Sequence, residues 1–317
     1  MTDGAEAPAL GPLGMGGANL GNLYAPMSDQ CAADILAAAW EGGIRYFDTA
    51  PHYGLGLSER RLGAFLRDRP RDQVVVSTKV GRLLRPSSDT AHRSDEDNGF
   101  AVPADLTRVW DFSLDGVRRS LDESLERLGI DRVDVLYLHD PDESEDPAGG
   151  LRSATEALVK LREEGTVRAV GVGSKSAETL RAAADTGVYD LLMVAGRLTL
   201  LEWDDGLVKE CARHGTGIVV AGVYNSGLLA RPYPPADAHY EYGATPPEVL
   251  NRARELADTC TAHGVELPTA ALQFPFRDER VRSVVLGASS PEQVRSNLAR
   301  LTQPVPEGLW ARLASAR

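Results

Sequence analysis

Asp48, Tyr53, Lys79 and His139 are spaced so that a proton could be passed to, or taken from, a substrate oxygen. Side chains alternate along a strand. Val75, Ser77 and Lys79 therefore share one face of VVVSTKVG, and Val133, Val135, Tyr137 and His139 share one face of VDVLYLHD. Asp48 shares a face with Tyr46 at the end of the run IRYFD. If the phase is inward, Asp48, Lys79 and His139 converge at the ends of three consecutive strands, with Tyr53 on the loop just past Asp48. A lysine inside such a fold must pair with a carboxylate or lose its charge, and Asp48 is the nearest candidate. A phenol beside a held ammonium should have its pKa lowered from about 10, so Tyr53 could donate a proton to a developing alkoxide or accept one from an alcohol near neutral pH. His139 would orient the substrate oxygen. Such a station has no nucleophile and no metal cluster, and needs an external electron source of the kind a nicotinamide supplies. Each residue alone has an ordinary role, as a cap, a salt bridge, a core histidine or a loop aromatic; the convergence carries the reading.

The elements that must position these residues alternate strictly. A Gly-rich first strand and turn (LGMGGANLGNLY) is followed by helix DQCAADILAAAWE, N-capped at Ser28 and stopped at Gly42 and Gly43. The strand ending at Asp48 leads to helix SERRLGAFLRDR, and VVVSTKVG to the helix opened by Ser113. Strand VDVLYLHD precedes helix SATEALVKLREEG, and VRAVGVGS precedes SAETLRAAADTG. YDLLMVAGR, GIVVAGVYNSG and VRSVVLGAS complete the strands, the last followed by helix SPEQVRSNLARL. Eight strand and helix units predict a closed (β/α)8 TIM barrel occupying 1–317 as one domain, with an open doubly wound sheet as the weaker alternative. Residues 1–10 read as a loose tail. Two connections, 82–110 and 225–247, are too long for simple turns and read as lid loops over the C-terminal face.

Composition bounds the rest. The chain has 317 residues, 43% hydrophobic and 25% charged, with a formal net charge of -12, which argues against a nucleic-acid or anionic membrane partner. Cys31, Cys211 and Cys260 are odd in number and far apart, as expected of reduced thiols rather than a disulfide frame or metal site. The N-terminal residues lack a basic region followed by an apolar core, so a cytoplasmic location is expected. The sequence does not specify an oligomeric state.

The segments FDTAPHYGLGLSERRLG, STKVG, DGVRRSLDESLERLG, DVLYLHDPD, GVGSK, VYNSGLL and GASSPEQVRSN, in this order, resemble the aldo-keto reductase superfamily from Leu13 to about Leu301. LHDPD, YNSGLL and AGRLTLLEW resemble its branch of D-threo-aldose, L-fucose, L-galactose and pyridoxal 4-dehydrogenases. The resemblance implies a catalytic tetrad of Asp48, Tyr53, Lys79 and His139. It also implies NAD or NADP contacts from Ser174, Lys175, Tyr224, Ser226, Leu228, Gly287, Ser289, Gln293 and Asn297. Lys175 stands where many members carry Asn. In the turn LGASSPEQVRSN, serines at a helix N-terminus suit a phosphate. Gly287 and Gln293 occupy places where NADP-preferring members often carry Lys or Arg, which inclines the expectation to NAD. Asn19, Trp110 and Asp140 are candidate lining for a carbonyl or sugar substrate, and the short stretch after Trp310 suggests an open pocket. Two other classes stay open: a nicotinamide-binding regulatory subunit, and an aldolase forming a Schiff base through Lys79, which would require a neutral amine.

Overall fold

The computed structural model describes residues 7–241 and 243–315. In chain order the elements are β1 (Leu13–Gly16), α1 (Asp29–Glu41), β2 (Tyr46–Asp48), α2 (Leu57–Leu66), β3 (Val75–Val80), β4 (Arg82–Pro86), β5 (Leu106–Trp110), α3 (Leu114–Leu128), β6 (Val135–His139) and α4 (Pro147–Glu163). They continue with β7 (Ala169–Ser174), α5 (Ala177–Asp185), β8 (Leu191–Ala195), α6 (Asp205–His214), β9 (Gly217–Ala221), β10 (His239–Tyr240), β11 (Gly243–Ala244), α7 (Pro247–Ala262), α8 (Leu267–Gln273), β12 (Val281–Leu286), α9 (Pro291–Thr302) and α10 (Glu307–Ser315). Eight strands close into a parallel barrel in the order β1-β12-β9-β8-β7-β6-β3-β2. The chain therefore has the expected (β/α)8 architecture and not an open sheet.

Local chemistry explains the element ends. Ser28 Oγ accepts from the amide of Cys31 to open α1, Ser113 Oγ from Gly116 to open α3, and Ser290 Oγ from Gln293 to open α9. Gly129 ends α3 in the left-handed conformation at φ 63°, where a side chain would be strained. Helix α4 starts earlier than the pattern SATEAL predicts, because Asp146 caps Gly149 and Pro147 occupies the first turn.

The strand phase is inward. Tyr46, Val135, Tyr137, Ala169, Leu191, Met193, Val219 and Val285 form the barrel interior, while the opposite faces pack against the helices. Pairing sets Asp48 beside Ser77, and Lys79 beside Tyr137. Outside the barrel, fully buried Glu59 of α2 accepts from Thr78 Oγ1 at 2.8 Å and Arg127 Nε at 2.6 Å, tying β3 to α2 and α3.

Three expectations change. Leu10 is buried and joins the interior cluster with Ala7 against it, so the loose-tail reading fails there; residues 1–6 lie outside the described residues. The segment 82–110 is not a bare loop: β4 and β5 pair antiparallel along their whole length, from Arg82 opposite Trp110 to Pro86 opposite Leu106. The segment 225–247 carries the short antiparallel pair β10 and β11. Near the end of the described residues, α10 buries Leu309, Trp310 and Leu313 in one cluster with residues of α7 and α8. No helix among the described residues is long and apolar enough to cross a membrane.

Candidate active site

Asp48 ends β2 and Lys79 lies near the end of β3, and both side chains are almost wholly buried. Lys79 Nζ donates to Asp48 Oδ2 at 2.6 Å and to the carbonyl of Thr49 at 2.9 Å. Ser77 Oγ stands 2.7 Å from Asp48 Oδ1 and 3.0 Å from the Tyr46 hydroxyl, which in turn lies 3.3 Å from that of Tyr137. The carboxylate is thus held from two sides, one cationic and one hydroxylic.

Tyr53 follows on the turn after β2. Its position depends on two glycines: Gly54 has φ +61°, and a Cβ on Gly54 would stand 2.2 Å from the carbonyl oxygen of Gly21, while one on Gly21 would stand 2.6 Å from the Tyr53 carbonyl carbon. This backbone approach clamps the turn against the segment that follows β1. The Tyr53 ring lies over Lys79 Nζ, 4.6 Å from the centroid, and meets the His139 ring edge-on at 5.6 Å. The structure therefore brings Asp48, Tyr53, Lys79 and His139 together at the C-terminal end of the barrel.

The electrostatics differ from the expectation in one respect. Burial pushes the Tyr53 phenol up to about 12, outweighing the opposing pull of Lys79. The neighbouring ammonium can be inferred from residue spacing, whereas the desolvation depends on the depth of burial. Burial by itself would lower Lys79, but Asp48 and Tyr53 reverse this and hold the ammonium above its usual range. A Schiff-base lysine must be neutral, so this ion pair works against the aldolase alternative. His139 is held well below its usual range, first by burial and then by Arg82 and Lys79, and is a neutral imidazole.

A second polar layer surrounds these four residues. His139 Nε2 lies 3.3 Å from Asp140 Oδ2, and Asp140 adopts φ 41° directly after β6. Burial raises the Asp140 carboxyl to about 6 against the lowering effect of Arg82. Buried Arg82 donates to Asp140 at 3.2 Å and to Glu143 at 2.8 Å, and its Nη1 lies 3.1 Å from His52 Nδ1. Arg108, on β5, donates to His52 Nδ1 at 2.6 Å and grips Asp95 through both outer nitrogens at 2.8 and 2.6 Å. Arg82, Arg108 and His52 were not among the sequence candidates. The signal for them was weak, because a hairpin pairing β4 with β5 must be known before Arg108 can be placed near residue 52.

Other sequence candidates separate into groups. Asn19 Nδ2 lies 3.4 Å from Ser289 Oγ, on the side of the barrel where β1 is flanked by β12. Trp110 stacks on Phe112 at 5.3 Å and, with Ser144, Asp146, Gly149 and Ser153, lines a cavity of about 440 Å³ beside the start of α4; Arg82 lies over its ring. Asp140 is in contact with the tetrad through His139.

At the ends of β9 and β12, Tyr224 donates to Asn297 at 3.0 Å, and the Ser289 amide donates to Gln293 Oε1 at 2.8 Å beside exposed Gly287. Ser226 has φ 58°, and the Leu228 side chain is fully buried among Leu229, Ala253 and Leu256. Ser174 Oγ donates to Asp142 at 2.5 Å, and the Lys175 carbonyl accepts from Arg197 at 2.9 Å. Asn225 is a further residue that the sequence reading passed over: its Oδ1 is buried and unpartnered among the described residues, and its Nδ2 faces the Gly196 carbonyl at 3.4 Å.

A parallel eight-stranded barrel with an ion-paired lysine under a tyrosine and a neutral histidine at its mouth agrees with what sequence comparison finds. The model of the Aldo/keto reductase family matches residues 12–317, and the chain belongs to this family of oxidoreductases. It is 53% identical over 316 residues, 99% of its length and 96% of the relative's, to a D-threo-aldose 1-dehydrogenase of a Pseudomonas species. It is 38% identical to a pyridoxal 4-dehydrogenase of Microbacterium luteolum, over 96% of this chain and 93% of that one. Among solved structures, the holo form of an aldo-keto reductase from Bacillus halodurans matches with a TM-score of 0.76, covering 96% of this chain and 91% of that one, and at 24% identity this is a likeness of fold.

Proposed function

We propose that the chain exchanges hydride between a nicotinamide dinucleotide and the anomeric carbon of an aldose, or in reverse a carbonyl carbon, with Asp48, Tyr53, Lys79 and His139 as its catalytic group. The carrying observation is the buried Lys79 to Asp48 bond of 2.6 Å beneath the Tyr53 ring. The 53% identity to a D-threo-aldose 1-dehydrogenase supports the sugar substrate.

A bound nicotinamide would supply the hydride acceptor or donor. The residues present suit a dinucleotide. Buried, unpartnered Asn225 Oδ1 can accept from a ligand amide, and Ser289, Ser290 and Gln293 sit at the N-terminus of α9, which favours phosphate. Ser174, Lys175, Tyr224, Ser226, Gly287 and Asn297 would complete the contacts, with Leu228 contributing backbone alone. Segments 82–110 and 225–247 would act as lids on one barrel domain.

In reduction Tyr53 donates its proton to the carbonyl oxygen while Lys79 steadies the phenolate left behind. In oxidation the phenolate takes the proton of the anomeric hydroxyl. His139, being neutral, can donate to the same oxygen in either direction. Asp48 keeps Lys79 charged throughout.

NAD is the preferred form in this reading. Arg295 is the basic residue of the α9 first turns, and it already faces Glu292 at 3.4 Å. A 2'-phosphate would meet that carboxylate and lack a charge-assisted partner, worth roughly a 10- to 100-fold difference in affinity. A panel of aldoses and aldehydes assayed by absorbance with both dinucleotides should show turnover, with KM for NAD lower than for NADP by that order. A lower KM for NADP would refute the preference, and no turnover in either direction would refute the function.

A further inference from the structure

His52 directly precedes the proposed proton carrier, and its environment is specific. Its Nδ1 faces Arg108 Nε at 2.6 Å and Arg82 Nη1 at 3.1 Å. Guanidinium groups donate and never accept, so Nδ1 must be the acceptor and carries no proton. A neutral imidazole then has its hydrogen on Nε2. The ring is also fixed in place, because the His52 carbonyl accepts from Arg108 Nη2 at 2.9 Å and Phe100 meets the ring edge-on at 5.3 Å. Burial and the two arginines depress the His52 pKa to about 2, so the ring stays neutral at any working pH.

The ring stands at one corner of a triangle. Its centroid is 5.5 Å from that of His139 and 6.2 Å from that of Tyr53, and those two are 5.6 Å apart. His52 Nε2 makes no hydrogen bond among the described residues. We infer that His52 is a specificity-determining residue whose Nε2–H donates to a substrate hydroxyl next to the reacting carbon, so that the site selects polyhydroxylated substrates over plain aldehydes. The two arginines set the tautomer, and the β4 and β5 hairpin that carries them is how segment 82–110 acts on selectivity. The inference rests on the proposed site at Tyr53 and His139, since the reacting oxygen must sit between those rings for the neighbouring hydroxyl to reach His52. A site built to bond a hydroxyl discriminates against substrates lacking it, because its own polar group is then left unpaired.

Two substitutions separate donation from mere pinning of the hairpin. His52→Asn places an oxygen near the Nδ1 position, keeping the arginine acceptor and losing the donor. His52→Gln places an amide nitrogen near the Nε2 position, keeping the donor. We expect the ratio of kcat/KM for an aldose to kcat/KM for an aldehyde without further hydroxyls to fall roughly tenfold in His52→Asn and to recover in His52→Gln. Nitrogen NMR of the labelled wild-type chain should show His52 protonated at Nε2. A wild-type ratio in His52→Asn, or a proton on Nδ1, overturns the inference while leaving the oxidoreductase function standing. A wild-type enzyme inactive on both substrates overturns that function instead, and the inference with it.

Discussion

Tyr53→Phe should lower kcat in both directions by about a thousandfold while leaving dinucleotide affinity within about twofold of wild type. The size follows from the loss of a positioned general acid and base, whose contribution runs about 10²–10⁴-fold. The selectivity of the effect follows from position, because the Tyr53 hydroxyl serves the proton and the ring can remain over Lys79 in the variant. Stopped-flow turnover and a fluorescence titration of the dinucleotide would measure the two quantities separately. The pH dependence gives a second signature. With the phenol at about 12, Tyr53 carries its proton across the neutral range, so reduction should be insensitive to its titration there. Oxidation needs the phenolate, whose fraction grows tenfold per pH unit below that value, so the oxidative rate should climb with pH without levelling below about pH 9. The Phe variant should lose that slope.

Lys79→Met should cost both activity and stability. The ammonium is 1% exposed and its partner carboxylate 3% exposed, so removing the lysine leaves Asp48 buried with Ser77 as its remaining side-chain donor among the described residues. Breaking a buried pair from one side typically costs about 3–5 kcal/mol, which for a chain of this size lowers Tm on the order of 10 °C. Adding Asp48→Asn to Lys79→Met removes the stranded charge. The double variant should therefore regain much of the lost Tm and none of the lost turnover, since Tyr53 still lacks its cation. Calorimetry on the three proteins decides this, and a double variant no more stable than the single one would show that the pair is not the source of the loss.

Much of this site was legible in the sequence because it depends on strand phase. Asp48, Lys79 and His139 end three neighbouring strands on one face, and the alternation of VVVSTKVG and VDVLYLHD states that face directly. Helix ends were legible for a similar reason, since Ser28, Ser113 and Ser290 each act on the amide three residues away. What escaped depends on distance along the chain. Arg82 and Arg108 reach His52 across 30 and 56 positions, through a hairpin whose strands are joined by the long polar stretch 87–105 and not by a two-residue turn. Asn19 reaches Ser289 across 270 positions, which only the closure of β1 onto β12 explains. The direction of the Tyr53 shift escaped too, because a neighbouring charge can be inferred from spacing and the depth of burial cannot.

The most direct test of hydride transfer at Tyr53 follows a label. An aldose deuterated at C1 is turned over with oxidised dinucleotide, and both products are analysed by mass spectrometry. Deuterium in the reduced dinucleotide, an unlabelled sugar lactone, and abolition of both in Tyr53→Phe are the predicted results. Deuterium retained in the sugar product, or label transfer undiminished in Tyr53→Phe, would contradict the account.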